Sequence, residues 1–443
     1  MFEFPEGLEE KLNRASTILE SNDKFRIITH YDADGISASA VLTRSLMKVQ
    51  AGFHTSFVES FPENIPEGLP LLFTDIGNSH LDQISRVEED VIVLDHHDIK
   101  SDKKREIEDE KKIVINPHEY GIDGAQEVSG GTLALLLAVW FDNVNWEEAV
   151  YGLAGAAADK QAVDGFTGLN KKLAEKAAEE GYLEERTDLF IDGKGIKEAL
   201  MKACDPYFPG ISGERKEIKS ILKDLDIDPE SNLKSIGQEK KRELASLLVL
   251  SLLKKRRPAE LVESIRGVHY RSRYHSLDTD RLYKILNSCA RNNRPGLGLS
   301  LCLGDENALE EAKEIRDGYR TEMVEKLDDL EEKMETYDHI QYFYEEEKTR
   351  KGELAGLGML YLLPLDKPVF GLVKVDDEID ISARATREMV NKGLDLGELC
   401  SKISERVGGT GGGHDIAAGA RIKKDKIDRF LESMNKEVAA VLD

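Results

Sequence analysis

The sequence predicts an α/β protein built on a parallel β-sheet, with a helical middle segment and a smaller α/β domain at its C-terminal end. Short apolar runs such as Val91–Leu94 alternate with helical patterns in the first third of the chain. Polar side chains follow these runs, as expected where strands buried on both faces place ligand-binding residues at their carboxyl ends. A chain of 443 residues is too long for one ordinary core, so we expect two or three domains.

Composition restricts the classes of function. Lys and Arg total 61 against 85 Asp and Glu, and the net charge of −24 opposes a general attraction to polyanions. Any contact with nucleic acid must therefore be local. The four cysteines lack CxxC spacing, which predicts neither a zinc knuckle nor a disulfide framework and fits a reducing compartment. Since the N-terminus is acidic and no run of about 18 apolar residues occurs, we expect a soluble cytoplasmic protein with no membrane partner.

The first predicted strand ends in a cluster of polar residues. Residues 7–22 have the pattern of an amphipathic helix, and the strand "FRIITH" then ends at His30, shortly before Asp32 and Asp34. Alternate acidic residues in a loop can point to one side, and Gly35 is expected to let the chain turn into the helix "ISASAVLTRSLMK". We expect this cluster to face the ligand-binding edge of the sheet.

Two further strands carry similar residues at their ends. After "FHTSFVES", the strand "PLLFTDIG" presents Asp75, for which a plain helix cap is the alternative. The strand "VIVL" is followed directly by Asp95, His96 and His97. Two histidines beside carboxylates are typical ligands of a divalent metal, although a surface turn is the alternative.

A fifth strand, "KIVINPH", precedes a helix that begins at Ser129 and Gly130. The free amides of this helix end are candidates for binding a substrate phosphate, and ordinary capping is the alternative. The next helix, "WEEAVYGLAGAAADKQ", ends in Asp159, and its small residues permit close approach to the sheet. Because the helix dipole disfavours an acid at a C-terminus, Asp159 is a candidate metal ligand rather than a surface charge.

The middle of the chain, about 181–338, is predicted to be helical, with breaks at "DPYFPGISG" and "NRPGLG". Between Arg266 and Arg294, seven basic residues stand against two acidic ones, and three tyrosines lie among them. Cations and aromatic rings together are what a single-strand channel uses, and a solvated helical face with core tyrosines is the alternative. A long connector helix is predicted from Glu306 to about Asp338, with Gly318 as a point of bending. The candidate channel residues are Arg271, Arg273, Tyr274 and Arg291.

The C-terminal lobe is predicted to be a small α/β sheet. The segments "IQYFYEEE", "GMLYLLPL" and "PVFGLVKVDDEIDISARA" predict strands, and a helix follows near Leu396 to Val407. Arg384 is a candidate phosphate ligand because its planar fork matches a phosphate, and an exposed strand arginine is the alternative. The segment "GGTGGGHD" carries five glycines, which permit close approach of the backbone to a bound strand. Its candidate substrate-binding residues are Gly411, Gly412, Gly413 and His414.

Four motifs in order, "HYDADG", "FTDIG", "LDHH" and the aspartate at 159, resemble those of the DHH phosphoesterase superfamily, which includes RecJ nucleases and manganese pyrophosphatases. The segment "GGTGGGHDIAAGARI" resembles the glycine-rich motif of the DHH-associated C-terminal domain. The whole chain is most similar to archaeal RecJ-like exonucleases, the group of the GINS-associated nuclease, which is related to a eukaryotic replication-helicase factor.

The resemblance implies a site with two Mn²⁺ ions, for which Mg²⁺ or Co²⁺ can substitute. It implies that His97 contacts the scissile phosphate or protonates the leaving oxygen, and that Asp95 orients a histidine. One departure is that several family members place the first histidine four residues before the aspartate, whereas His30 stands two before it. One metal is assigned to His30, Asp32 and Asp75, and the other to Asp34, Asp75, His96 and Asp159, so that Asp75 bridges them.

The resemblance also implies a domain order and a function. We expect a DHH catalytic domain at 1–185, a helical insert at 186–338 and a substrate-binding domain at 339–443 that faces the first across a cleft. The expected activity is exonuclease action on single-stranded DNA or RNA, in replication or repair, with the GINS complex as a candidate partner. A phosphodiesterase for cyclic dinucleotides or short RNA, a pyrophosphatase and an inactive replisome scaffold are the alternatives.

Overall fold

A computed structural model of the chain describes residues 7–98, 111–162, 165–187, 189, 191–258, 261, 262, 265, 268–275 and 278–442. The chain forms two compact units. The first unit comprises residues 1–190 and 266–317, and the second comprises residues 191–265 and 318–443. None of the described helices is both long and apolar enough to cross a membrane.

Strands and helices are numbered in chain order. The strands are β1 (Lys24–His30), β2 (Gly52–Val58), β3 (Leu71–Thr74), β4 (Val91–Leu94), β5 (Lys112–Ile115), β6 (Leu183–Thr187), β7 (Val268–Ser272), β8 (Glu335–Thr336), β9 (Gln341–Glu345), β10 (Val369–Val375), β11 (Glu378–Arg384), β12 (Thr410–Gly413) and β13 (Ala417–Lys423). The helices are α1 (Leu8–Ser21), α2 (Ala33–Lys48), α3 (Leu81–Ile84), α4 (Gly130–Phe141), α5 (Ala149–Ala158), α6 (Gly168–Glu179), α7 (Ile196–Met201), α8 (Arg215–Asp224), α9 (Gln238–Lys254), α10 (Thr279–Arg291), α11 (Pro295–Cys302), α12 (Glu306–Asp328), α13 (Leu330–Lys333), α14 (Lys351–Tyr361), α15 (Arg387–Asn391), α16 (Leu396–Arg406) and α17 (Ile427–Leu442).

The first unit contains a five-stranded sheet in the order β2-β1-β3-β4-β5, in which every neighbouring pair is parallel. Alternate side chains of these strands enter two apolar clusters, one containing Ile27 and Ile92 and the other containing Ile28 and Val93. A sheet covered on both faces explains why its strands are short, continuous apolar runs. The predicted parallel-sheet α/β domain is therefore confirmed.

Helices α2, α4 and α5 pack against one another beside this sheet. Small residues permit the close approach, since a Cβ added to Gly152 would lie 2.9 Å from the carbonyl oxygen of Gly131. The N-terminal turns of α2 and α4 and the C-terminal end of α5 all supply residues to the site described below.

Residues 266–317 pack with the first unit rather than in a separate insert. Strand β7 pairs antiparallel with β6, and α10 packs on α2 and α5. The apolar face of α10, including Leu282 and Ile285, is buried in the same cluster as the sheet residues. Because residues 191–265 belong to the second unit, the segment predicted as one helical insert, 186–338, is divided between the two units.

The second unit contains a six-stranded sheet in the order β12-β13-β11-β10-β9-β8. Strands β9 and β10 are parallel, and the other pairs are antiparallel. Phe370 and Ile381 from the sheet are buried with Phe430 of α17 in one apolar cluster. The predicted smaller α/β domain at the C-terminal end is confirmed.

Four element predictions are wrong. Strands β6 and β7 lie in the segment of about 181–338, which was predicted to be helical. The first half of "GMLYLLPL" forms the end of α14, where Leu354, Leu357 and Tyr361 are buried at helical spacing. The segment "PVFGLVKVDDEIDISARA" is two strands, β10 and β11, joined by a turn in which Asp376 is left-handed with φ 52°. The long connector helix ends at Asp328, and the short α13 follows it.

Candidate metal centre

The polar residues predicted at the strand ends lie side by side at one edge of the first unit's sheet. The register pairs Thr29 of β1 with Thr74 at the end of β3, and it continues through the last residues of β4 and β5. Parallel pairing alone therefore brings the residues at these strand ends to one place. They are His30, Asp75, Asp95 and Asn116.

Asp75 occupies the centre of this edge. Its φ of 57° lies in the left-handed region, which is uncommon for a residue with a side chain. The carboxylate is almost completely buried, and its Oδ2 atom has no hydrogen-bond donor among the described residues. Buried polar atoms are nearly always paired, so this oxygen requires a partner such as a cation.

The first set of candidate ligands surrounds one oxygen of Asp75. His30 Nδ1 lies 2.8 Å from Asp32 Oδ2 and 3.6 Å from Asp75 Oδ2. The three ligand atoms all lie within 4.8 Å of one another. Asp32 also caps α2, because its other oxygen accepts a hydrogen bond from the Gly35 amide.

The second set surrounds the other oxygen. His96 Nε2 lies 3.3 Å from Asp75 Oδ1, 3.7 Å from Asp34 Oδ2 and 3.4 Å from Asp159 Oδ2. The atoms of Asp34, His96 and Asp159 also lie within 4.8 Å of one another. The structure thus brings together all six side chains that were assigned to metal, with Asp75 between the two sets.

Helix α4 begins directly against Asp34. The Ser129 hydroxyl donates to Asp34 Oδ1 at 2.8 Å, and the amides of Gly130 and Gly131 donate to its oxygens at 2.6 and 2.9 Å. The donors that we expected to bind a substrate phosphate are therefore occupied by a carboxylate of the chain itself. The helix N-terminus attracts negative charge as expected, but Ser129 and Gly130 position a candidate metal ligand.

Glycines determine how closely the helices approach these carboxylates. A Cβ added to Gly155 of α5 would lie 2.1 Å from Asp34 Oδ1. Asp159 follows α5 directly, so this approach also places its carboxylate. Gly35 was expected to permit a turn, but it lies in the first turn of α2, where an added Cβ would lie 2.1 Å from the His30 carbonyl oxygen. Close approach, rather than a turn, requires Gly35.

The two histidines of the "LDHH" motif are oriented by different partners. His96 Nδ1 lies 2.7 Å from the Gly124 carbonyl oxygen, so this nitrogen donates and Nε2 is left for a metal. His97 Nδ1 lies 2.8 Å from Asp95 Oδ1, and the His97 side chain is about half exposed. Asp95 therefore orients His97, as expected, and leaves its Nε2 available for a substrate.

Two asparagines that sequence reasoning did not assign to the site support this backbone. The side-chain amides of Asn78 and Asn116 each donate to the carbonyl oxygens of Asp95 and His97, at 2.8 to 3.0 Å. The Asn78 backbone amide also donates to Asp95 Oδ2 at 2.8 Å. Asn116 directly follows β5, and Asn78 lies in the loop after β3. These positions near strand ends were the only signal in the sequence, and that signal did not distinguish the two residues from ordinary turn residues.

The cluster holds more negative charge than its neighbours neutralise. Burial and the charge of Asp75 raise the pKa of Asp34 to about 7. Burial and the charge of Asp34 raise the pKa of Asp159 well above its usual range. Burial acts to lower the pKa of His30, but its contacts with Asp32 and Asp75 outweigh burial and raise the pKa to about 11.

These residues fit divalent metal ions. The donor set is mixed carboxylate and imidazole, the Asp75 oxygen lacks a donor, and the carboxylates repel one another. Bound cations would neutralise these buried carboxylates.

Comparison with protein families identifies the domains. Residues 24–158 match the DHH family, N-terminal domain, and residues 339–440 match the DHHA1 domain. An uncharacterised protein of Methanocaldococcus jannaschii is 30% identical over 446 residues, which is 98% of each chain. The chain belongs to the DHH family.

Two solved structures resemble this DHH protein in fold. CDC45 from Entamoeba histolytica has a TM-score of 0.64 and 11% identity, and the match covers 98% of each chain. RecJ from Thermus thermophilus, solved in complex with Mn²⁺, has a TM-score of 0.57 and 18% identity, over 99% of this chain and 56% of that one. The predicted RecJ-like fold is confirmed.

The DHHA1 domain places its predicted substrate residues around one end of β11. Arg384 ends this strand, and a Cβ added to Gly352 of α14 would lie 3.2 Å from Arg384 Nη2 and 3.2 Å from Ser382 Oγ. His414 follows β12 and is exposed. Arg384 and His414 remain predicted substrate ligands.

Most glycines of the "GGTGGG" segment are required by the fold of the DHHA1 domain. Gly411 lies in β12, and a Cβ added to it would lie 2.5 Å from the Cys400 carbonyl oxygen of α16. Gly413 has a φ of 143°, which favours glycine. A Cβ added to Gly409 would lie 2.3 Å from the Arg421 carbonyl oxygen. Within this segment, Gly412 alone has neither a positive φ nor a neighbour within 4 Å of an added Cβ. The prediction of close approach to a substrate therefore rests on Gly412.

The basic segment of this DHH protein is partly balanced by carboxylates. Arg271 lies opposite Glu184 in the β6–β7 pair. A hydrogen bond from Arg186 and the charges of Arg273 and Arg271 lower the pKa of Glu184. Tyr274 is 59% exposed, and its ring centre lies 5.4 Å from that of Tyr182.

Arg291 is the last residue of α10, and Arg266 lies outside the described residues. The single-strand channel remains a prediction, and its exposed aromatic residue is Tyr274.

Proposed function

We propose that this DHH-family chain is a metal-dependent exonuclease that hydrolyses the phosphodiester bonds of single-stranded DNA, RNA or both. The observation that carries the proposal is the convergence of two ligand sets on Asp75, whose buried Oδ2 has no donor among the described residues. Phosphodiester hydrolysis needs an activated water and neutralised phosphoryl oxygens, and a pair of bound divalent cations supplies both.

Each ligand set would hold one cation. Mixed imidazole and carboxylate ligation suits Mn²⁺, with Mg²⁺ or Co²⁺ as alternatives. The Mn²⁺ complex of the similarly folded RecJ supports this choice. We assign His30, Asp32 and Asp75 to one cation and Asp34, Asp75, His96 and Asp159 to the other.

His97 would act on the substrate itself. Because Asp95 holds Nδ1 of His97, Nε2 can donate a hydrogen bond to a phosphoryl oxygen or a proton to the leaving oxygen. Asn78 and Asn116 keep the backbone of this motif in place.

The alternatives differ in substrate and in the need for catalysis. A phosphodiesterase for cyclic dinucleotides or short RNA would use the same ligands, and chain-length dependence separates it from an exonuclease. An inactive replisome scaffold has no need for a complete ligand set. We keep the GINS complex as the proposed partner, and co-elution of the two purified proteins in size-exclusion chromatography tests it.

The test is digestion of 5′-labelled and 3′-labelled single strands of DNA and RNA with Mn²⁺, beside a cyclic dinucleotide. We expect stepwise shortening of the long strands from one end. Replacing Asp75 by Asn removes the shared charge but tolerates the left-handed backbone, so it should lower the rate at least about 100-fold.

The matched control is Asp376→Asn, which changes the same residue type in the same left-handed conformation, at the β10–β11 turn of the second unit. It should retain the wild-type rate. Cleavage of the cyclic dinucleotide alone would replace the exonuclease with the phosphodiesterase, and full activity of Asp75→Asn would refute the metal assignment.

A further inference from the structure

Strand β2 forms an open edge of the five-stranded sheet. It is the outermost strand in the order β2-β1-β3-β4-β5, and its residues 52–54 are exposed. The opposite edge, β5, is covered by α1, whose Lys11 donates to the Val114 carbonyl oxygen at 2.8 Å. Within the part of the chain that the structure describes, the backbone of β2 bonds only to β1 and to the residues that flank β1. The outer side of β2 is therefore available to another strand.

Three residues of β2 direct their backbone groups toward this open edge. The Gly52 amide donates to the Asp23 carbonyl oxygen, and the Val58 carbonyl oxygen accepts from the Tyr31 amide. The even-numbered residues of β2 thus face β1, and successive residues of a strand alternate in direction. The residues whose N–H and C=O groups point outward are Phe53, Thr55 and Phe57.

The outward residues are arranged symmetrically about Thr55, since Phe53 and Phe57 each stand two positions from it. In an antiparallel pair of two β2 strands with Thr55 opposite Thr55, each Phe53 lies opposite a Phe57. Each facing pair then exchanges two hydrogen bonds, so every outward group of both strands has a partner. A two-fold axis through Thr55 produces this contact from two identical chains.

The side chains of the same residues suit burial in such a contact. Phe53 is 37% exposed, and Phe57 packs at the border of the apolar cluster that contains Ile27. Thr55 Oγ1 is buried and lacks a hydrogen-bond partner among the residues that the structure describes. Aromatic residues and threonines both stabilise a strand pair when they lie opposite residues of their own kind.

The composition of β2 also distinguishes it from a protected edge. Edge strands that stay unpaired are usually protected by charged residues or proline. The strand "GFHTSFV" has neither, in a chain of which 33% of the residues are charged. A second copy suits this edge better than an unrelated strand, because the symmetric register satisfies every outward group.

We propose that two copies of the chain associate through β2 and form one continuous sheet, with five strands from each copy. This association does not depend on the proposed function, because β2 carries none of the assigned metal ligands. A two-fold axis runs the strands of the two copies in opposite directions. Their metal centres therefore lie at opposite ends of the joined sheet, and each copy keeps a complete ligand set.

The experiment is sedimentation velocity of the full chain over a series of concentrations at about 0.15 M ionic strength. We expect a species of twice the chain mass of 49.6 kDa. Because each copy carries a net charge of −24, higher salt should lower the dissociation constant of the dimer.

Charges at Thr55 test the register. Thr55→Lys and Thr55→Glu each place two like charges directly opposite each other, so each should raise the dissociation constant at least about tenfold. An equimolar mixture of the two variants pairs Lys with Glu and should restore association. Far-UV circular dichroism shows that each variant is folded.

The matched control is His54→Lys, which adds a charge at the neighbouring exposed residue. In the proposed register residue 54 lies opposite Ser56, so the new charge meets no like charge and the dissociation constant should equal that of the wild type.

Three outcomes would overturn the dimer. They are a wild type that stays monomeric at every concentration, tight association of both Thr55 variants, and a mixture of them that fails to associate. The Mn²⁺-dependent rate per chain should be the same in Thr55→Lys and the wild type. Absence of hydrolysis by both would refute the exonuclease and leave the measured masses, and with them the dimer, unaffected.

Discussion

A carboxylate that is held before the metal arrives can bind it without rearrangement, and Asp34 is held in this way. Its two oxygens accept three hydrogen bonds from the start of α4, and its side chain is almost completely buried. Charge-assisted hydrogen bonds of this kind are short and directional. The orientation of Asp34 is therefore determined by the helix packing and not by the metal alone.

Replacing Gly155 by Ala tests this packing at a single residue. The added Cβ would lie 2.1 Å from Asp34 Oδ1 and 3.1 Å from Ser37 Cβ, so Asp34 must move away from its donors. We expect Mn²⁺ affinity to fall about 10-fold to 100-fold, as when a group that supports a metal ligand is lost. Isothermal titration calorimetry with Mn²⁺ measures the change.

The control for that variant is another helical glycine that touches nothing. A Cβ added to Gly318 meets no atom within 4 Å, so Gly318→Ala should leave Mn²⁺ affinity unchanged. Wild-type affinity in Gly155→Ala would show that Asp34 is not held by the approach of α5.

The types of the ligand residues could be predicted from the sequence, but their supports could not. His96 and Asp75 stood out because polar side chains directly followed buried strands, and the register of parallel strands placed them together. Asn78, Asn116 and Gly155 act through distances across the fold, and no spacing in the sequence reports such a distance. Ser129 was recognised as a helix start, but the anion that it faces is known only from the packing of α4 on α2.

At the scale of elements, α12 contains a glycine for which the structure provides no steric reason. Residues 306–317 of this helix belong to the first unit and residues 318–328 to the second, so Gly318 lies at the boundary. Glycine in a helix interior is less favourable than alanine by about 0.8–1 kcal/mol. Gly318→Ala should therefore raise the free energy of unfolding by up to about 1 kcal/mol, measured as a higher urea midpoint.

A second glycine in the same unit provides the contrast. Gly358 of α14 would place a Cβ 2.5 Å from Leu330 Cδ2, so Gly358→Ala should lower the urea midpoint through overpacking. An equal rise of the urea midpoint in Gly318→Ala and Gly358→Ala would mean that helix propensity, and not the space around the added methyl group, determines the change in stability.

Element prediction succeeded where periodicity and burial agreed. Helix α16 and the strands of the five-stranded sheet were predicted from apolar residues spaced for burial of one face of a helix or of both faces of a strand. Strands β6 and β7 were missed, because their segments were predicted to be helical. The segment "GMLYLLPL" failed because a short apolar run has no period of its own, and burial at Leu354 and Leu357 upstream makes it a helix end. The glycines of β12 were assigned to substrate, although close packing against α16 and β13 accounts for most of them.

At the scale of the whole molecule, the division into units depends on contacts that are distant in sequence. The order of a catalytic and a C-terminal domain was predictable from the motifs at both ends. The placement of residues 266–317 with the first unit was not, because it depends on burial of the apolar face of α10 against α2 and α5. That placement also brings the Tyr283 ring to Lys160, the residue after a candidate metal ligand.

Metal binding should stabilise one unit of the molecule selectively. All six assigned ligands belong to the first unit, so a bound cation stabilises that unit against unfolding. At a free Mn²⁺ concentration 100 times the dissociation constant, the gain is about 2.7 kcal/mol. For a unit of this size, the gain corresponds to a rise of about 5–10 °C in its transition temperature. Differential scanning calorimetry with Mn²⁺ and with EDTA should show that Mn²⁺ raises the transition temperature of the first unit and leaves that of the second unit unchanged.

Two variants provide the controls. In Asp75→Asn, Mn²⁺ should raise the transition temperature of the first unit much less, because the shared ligand is gone. In Asp376→Asn, the rise should equal that of the wild type. An equal shift in Asp75→Asn would mean that Mn²⁺ binds to other acidic groups of a chain whose net charge is −24.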